Sequence, residues 1–203
     1  MTHYRQGTGA VTLATLMSAI GLTKNKKLSE HKIVIYGAGS AGLGIARQIR
    51  DGMVHLDGVS KEEANTKFWL IDKDGLVCET LLGVMQKQDK ARPGWEEFAR
   101  KEEDWKSDSV AQGQGHDLKS VVDKVQPTVL IGTSTKGGAF TEDVIKAMTE
   151  HTDRPIILPL SNPSRLVEVK PEDAMKWSQG KALIATGSPF KPVDLGEGKG
   201  SCE

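Results

Sequence analysis

The stretch from Lys32 to Ile49, KIVIYGAGSAGLGIARQI, constrains the fold of this chain more than any other. Ile33 to Tyr36 is an apolar run rich in β-branched residues, which reads as a short buried strand. Gly37, Gly39 and Gly42 follow in GxGxxG spacing, and Leu43 to Met53 reads as a helix. The three glycines serve different ends. Gly37 permits a tight turn, Gly39 lets the backbone approach a pyrophosphate, and Gly42 lets the helix pack closely. Ser40 and Ala41 place N–H groups at the helix start, where the helix dipole favours an anion. A strand before the motif and a helix after it are the context in which GxGxxG predicts dinucleotide binding.

The rest of the chain repeats the alternation. A helix is expected from Thr8 to Gly21, strands at Lys67–Asp72, PTVLIGTS, PIILPLSNP and KALIATGSPF, and helices at Leu118–Val125, Thr141–His151 and from Pro171 to Trp177. Thr141 suits an N-cap, with Glu142 and Asp143 at the positive end of the dipole. Gln86 to Asp117 is polar, yet Trp95, Phe98 and Trp105 need something to bury against, so it reads as loop and short helix. The pattern predicts a Rossmann-like, doubly wound α/β fold with a mainly parallel sheet over residues 1–193. The glycine-rich tail 194–203 is expected to be loose.

Composition excludes several partners. Lys plus Arg and Asp plus Glu are both 27, so the net charge is zero and nothing attracts nucleic acid or an acidic membrane. Cys78 and Cys202 have no metal-ligand spacing and form no disulfide framework, which fits a reducing compartment. The first 22 residues are too polar for a secretory signal, and no apolar run approaches the ~20 residues of a membrane span. The cytoplasm is therefore the expected compartment.

Asp72 ends the second strand, where a carboxylate suits the hydroxyls of an adenosine ribose. It lies further beyond Gly42 than the roughly 20 residues usual for the fingerprint, so a surface acid in DKDG is the competing reading. IGTSTKGGAF (131–140) again leaves a strand with small residues, making Thr133, Ser134 and Thr135 candidates to line a cofactor; a hydrophilic turn is the alternative. Asn162 closes the fourth strand, where an Asn can orient an amide or a carboxylate, or simply start a turn. No base for hydroxy-acid chemistry is visible. His31 precedes a strand, His55 and His151 follow helices, and the acidic pairs Glu62–Glu63, Glu96–Glu97 and Glu102–Glu103 diverge on a helix and read as solvated faces.

Six ordered motifs, QGTGAVTLA, IVIYGAGSAGLGIA, FWLIDKDGLV, PTVLIGTSTKGGAFTEDVI, PIILPLSNPS and ALIATGSPF, resemble the NAD(P)-binding domain of malic enzymes, from about Gln6 to Val193. That family oxidises malate to pyruvate and carbon dioxide with NAD or NADP and Mg²⁺ or Mn²⁺. The resemblance implies cofactor contacts at Gly37, Gly39, Ser40, Ala41 and Gly42, with Asp72 on the ribose and Thr133 and Ser134 along the dinucleotide. It implies Asn162 on nicotinamide and substrate, and Thr8 beside the cofactor. The chain departs from the family where NDDIQGT becomes THYRQGT, so His3 and Tyr4 replace two acids, the second a metal ligand. The family's other metal and catalytic residues belong to a preceding domain, so neither a Mg or Mn site nor a catalytic residue is expected here.

The expected function is NAD(P) binding without malate turnover by this chain alone. A working enzyme completed by another chain, and a noncatalytic interaction module, are the alternatives. NAD is favoured because Asp72 repels a 2′-phosphate, although Lys73, Lys87, Lys90 and Arg92 are near enough in sequence to make NADP the alternative. Loss of a partner domain would bare the Val11–Ile20 helix and predicts marginal stability or self-association. A lost leader would permit a mitochondrial location.

Overall fold

The computed structural model describes residues 2–105 and 115–193, with side chains from residue 7 onward. The 194–203 tail, Cys202 and the side chains of His3 and Tyr4 lie outside the described residues. Among the described residues six strands form one sheet: β1 (Ile33–Tyr36), β2 (Phe68–Asp72), β3 (Gly75–Leu76), β4 (Val129–Gly132), β5 (Ile156–Pro159) and β6 (Leu183–Ile184). Their spatial order is β3-β2-β1-β4-β5-β6. Every pairing is parallel except β2 with β3.

Parallel strands covered on both faces need apolar residues throughout, and β4 and β5 are buried along their whole length. The pleat sorts side chains to two cores. Ile33 and Ile35 face the first, with α1 (Thr2–Ile20) and α2 (Ser40–Gly52) contributing Leu16, Ile20, Ile45 and Ile49. Val34, Leu130 and Ile157 face the second, against α5 (Leu118–Val125), α6 (Glu142–His151) and α7 (Pro171–Trp177). The connection through α2 carries the chain outward to β2, and the chain later returns to β4 on the other flank of β1. The sheet therefore reverses winding between β1 and β4, the position where such folds bind ligands. Register aligns Tyr36 with Ile71 and Gly132, and Gly132 with Pro159. Gly37, Asp72, Thr133 and Leu160 thus emerge along one edge.

Several elements differ from the sequence expectation. Helix α1 starts at Thr2 rather than Thr8, because the two glycines of QGTG do not interrupt it. Gly9 lies where an added Cβ would come within 3.2 Å of Gln48, so the glycine is used for close packing of α1 on α2. Helix α2 starts at Ser40 and runs into a π-helical turn, Met53–Asp57. The α3 turn (Lys61–Asn65) and helix α4 (Glu79–Lys87) are additions to the expected elements. The DKDG stretch is the tight reversal from β2 into β3, with Gly75 at φ +112°. Thr141 occupies the N-cap of α6 without a side-chain bond to the helix. KALIATGSPF contributes two strand residues only. Trp95, Phe98 and Trp105 are buried, as their bulk demanded. Glu97, read as part of a solvated face, bridges Arg47 and Arg50. Burial alone would push its carboxyl up, but the two guanidiniums outweigh that and hold it below the usual carboxylate range.

Candidate functional site

The three glycines of the first turn are required by different things. Gly37 has φ +111°, and an added Cβ would lie 2.5 Å from the Thr133 carbonyl carbon. At Gly42 an added Cβ would lie 2.1 Å from the Gly37 oxygen. Both positions are closed by main chain, so each is glycine for reasons internal to the fold. Gly39 has φ −77°, and apart from its chain neighbours no heavy atom lies within 4 Å of where its Cβ would be. No packing contact demands a glycine at this N-cap position, and the space is open to a ligand approaching the backbone. Ser40 and Ala41 follow it, exposed, as the first residues of α2. The first N–H groups of a helix have no partner within the helix and carry the positive end of its dipole. The residues present therefore fit a pyrophosphate.

This turn is braced from behind. The Trp95 indole nitrogen donates to the Ala38 carbonyl at 2.8 Å, and both residues are buried. From the other flank, the Thr133 N–H donates to the Tyr36 carbonyl and its hydroxyl to the Gly37 carbonyl, each at 2.8 Å. The sequence marks Trp95 as a packing anchor only; its polar role depends on a contact far away in the chain.

Asp72 stands at the end of β2, its side chain 14% exposed, with the Arg92 Nε 3.3 Å from Oδ2. It borders an open cleft of about 680 Å³ that also touches Tyr36, Gln88, His116 and Lys136. The cleft thus runs from β3 across to the loop after β4. Of the four cations considered beside Asp72, Arg92 is the one paired with it.

The loop after β4 is organised by a residue that the sequence does not single out. Glu168 is fully buried. Its Oε1 accepts from the Ser134 N–H and the Ser134 hydroxyl, both at 2.9 Å, and from the Ser161 hydroxyl at 2.5 Å. The Ser134 hydroxyl is therefore turned into the protein. Glu168 follows the short turn Ser164–Leu166 beyond β5, where a lone acid in RLVEVK carries no recognisable signal.

Asn162 and Thr8 meet at a second cleft, about 290 Å³, together with Val11, Leu160, Thr186 and Gly187. The Ser188 hydroxyl donates to the Asn162 Oδ1. The peptide bond from Asn162 to Pro163 is cis. These two candidates are more than 150 residues apart in sequence, and the fold places them on one wall.

The four histidines with described side chains stay away from this edge or have other partners. His31 is buried at the opposite edge, its Nδ1 2.9 Å from the Thr128 hydroxyl oxygen and its Nε2 3.3 Å from the Asn25 carbonyl. Burial pushes its pKa down, against smaller opposing effects of Asn25, Glu30 and Asp57. His116 borders the Asp72 cleft with its ring edge-on to Trp105, Nε2 2.8 Å from the Trp105 carbonyl. His55 and His151 are at the surface, away from the cleft. Among the described residues no three His, Cys, Asp or Glu side chains converge as a metal site would require. No helix among them is long and apolar enough to cross a membrane.

Residues 5–202 match the family described as malic enzyme, NAD binding domain. NAD-dependent malic enzyme 3 of Bacillus subtilis is 46% identical over 190 residues, which is 93% of this chain and 32% of that protein. The mitochondrial NAD-dependent malic enzyme of Saccharomyces cerevisiae is 47% identical over 93% of this chain and 26% of its own length. A malolactic enzyme of Lactiplantibacillus plantarum is 43% identical over the same share of the chain. Among solved structures, the malic enzyme of Entamoeba histolytica superposes with a TM-score of 0.68 at 27% identity, covering 94% of this chain and 33% of that one. The chain therefore spans about a third or less of the length of these relatives. It belongs to the malic enzyme family, as an NAD-binding domain with a mostly parallel, Rossmann-type sheet.

Proposed function

We propose that this chain binds NAD along the carboxyl edge of its sheet and serves as the dinucleotide-holding part of an enzyme acting on malate. The observation that carries the reading is the open space at Gly39, between two glycines closed off by main chain. The N–H groups of Ser40 and Ala41 hold the pyrophosphate, and Asp72 accepts from the adenosine ribose. That places the nicotinamide half toward β4 and β5, where Thr133 and Ser134 shape the loop and Thr8 and Asn162 border the adjoining cleft. Asn162 is also our candidate for substrate contact. Arg92 is already paired with Asp72, so a 2′-phosphate would meet a carboxylate whose nearest cation is engaged, which favours NAD over NADP.

Bound NAD supplies a hydride acceptor. Proton transfer and metal chemistry on malate fall, in this reading, to residues outside the stretch described here. Oxidative decarboxylation and the malolactic reaction are both represented among the relatives' names, and a nucleotide-holding domain does not choose between them. For the compartment we propose the cytoplasm; the relatives include bacterial and mitochondrial proteins and do not decide it.

Isothermal titration calorimetry of the 203-residue chain with NADH, NADPH and ADP tests the assignment. Binding of NADH and ADP, with NADPH at least about tenfold weaker, is expected, a gap of roughly 1.4 kcal/mol. No heat from saturating NADH would overturn it. In a malate-dependent assay with NAD and Mn²⁺, the isolated chain should show no turnover, and measurable turnover would overturn that part of the reading.

A further inference from the structure

Glu168 is a buried carboxyl beside the ends of β4 and β5, and one of its oxygens accepts three hydrogen bonds. Beyond its three bonds through Oε1, Oε2 lies 3.4 Å from the Ser161 N–H. The two serines lie on different loops: Ser134 follows β4 and Ser161 follows β5. Glu168 therefore ties two neighbouring strand ends together through side chains. The Ser134 hydroxyl in turn accepts from the Lys136 N–H at 3.1 Å, and the Ser161 hydroxyl accepts from the Thr135 N–H at 2.9 Å. Thr135 has φ +56°. A β-branched residue is a rare occupant of that region, and such strain persists only where surrounding structure over-determines it. Here the over-determining contact is the relay from Glu168 through Ser161.

Main chain accounts for the remainder of the loop. Gly138 and Phe140 donate to the carbonyls of Val167 and Glu168 at 3.0 Å each. Those bonds hold the part leading into α6. Residues 134–136, of which Lys136 borders the Asp72 cleft, are held by the Glu168 carboxyl and the two serines. The wall behind the carboxyl is Gly132, where an added Cβ would lie 2.4 Å from Glu168 Cδ.

We propose that Glu168 is the positioning residue for the nicotinamide half of the dinucleotide site, its carboxyl setting the β4 and β5 loops at one fixed spacing. The inference rests on the dinucleotide reading above. It predicts an asymmetry that a general stabilising role does not produce. Removing the tether should disturb ligands that reach β4 and β5, and leave untouched a ligand confined to Gly39, Ser40 and Asp72.

The test compares NADH with ADP by calorimetry on wild type, Glu168→Gln and Gly132→Ala, with circular dichroism as a check on folding. Glu168→Gln puts an amide against donors, and Gly132→Ala displaces an unaltered carboxyl, so one variant remains informative if the other fails to fold. NADH affinity should fall at least about tenfold in each folded variant while ADP affinity changes less than about twofold, as expected for lost buried hydrogen bonds on one side of a site. Unchanged NADH affinity, or equal losses for NADH and ADP, would overturn the role of Glu168 while leaving dinucleotide binding intact. A wild-type chain that takes up neither ligand would instead overturn the dinucleotide reading, and this inference with it.

Discussion

The two halves of the proposed site are built from different materials. The turn after β1 is made of main chain: glycines, a helix start, and two carbonyls braced by Trp95 and Thr133. The region after β4 and β5 is made of side chains gathered around one buried carboxyl. A backbone site is specified by where side chains must be missing, which is a local property of sequence. A side-chain network is specified by partners that meet only in the fold. The first kind breaks where an added atom meets main chain, as at Gly37 and Gly42; the second breaks when a donor or acceptor is lost, or when an added atom at Gly132 displaces the carboxyl.

Substitutions can break or sharpen that contrast. The largest effect is expected at Gly42→Ala, whose methyl must displace the Gly37 carbonyl; it should cost about 3 kcal/mol, the upper range for overpacking, read from urea unfolding. Gly39→Ala, at the N-cap of α2, should cost no more than about 1 kcal/mol yet weaken NADH binding at least about tenfold. Equal stability losses at the two glycines would erase the distinction between a fold-closed and a ligand-facing position. Trp95→Phe keeps an aromatic ring and removes the donor, leaving the buried Ala38 carbonyl without it. A loss of about 1–2 kcal/mol is expected in the same unfolding assay.

The smallest expected effect is a control at the opposite edge of the sheet. His31 has a folded pKa below its unfolded value of 6.5, so the unfolded chain binds the extra proton first as pH falls. Stability from His31 is complete above pH 6.5 and is lost as pH drops through the folded value. Melting temperatures of wild type and His31→Asn should therefore diverge in their pH dependence below pH 6.5. ADP binding under conditions where both remain folded should not differ between them. A difference there would mean that the two edges of the sheet are coupled.

Legibility followed the same division. The order of strands and helices, the glycine turn and the position of Asp72 are readable because period and spacing are local signals. Helix α4 and the β2–β3 reversal are not, since GLVCETLLGVMQK mixes strand-like and helix-like residues and tertiary packing decides between them. The Glu97 bridge escapes a sequence reading because two adjacent acids give no hint of Arg47 and Arg50, some 50 positions earlier. Glu168 is invisible for the same reason. Its burial is rational only once Ser134, Ser161 and Gly132 surround it.

Trp95 carries a consequence beyond its bond to Ala38. An indole wedged behind the glycine bend is a built-in optical probe. Its emission lies where reduced nicotinamide absorbs, so energy transfer to an arriving NADH would dim it without any label. Of the four tryptophans in the chain, this one touches the bend, and its colour and brightness would register whether that bend is filled.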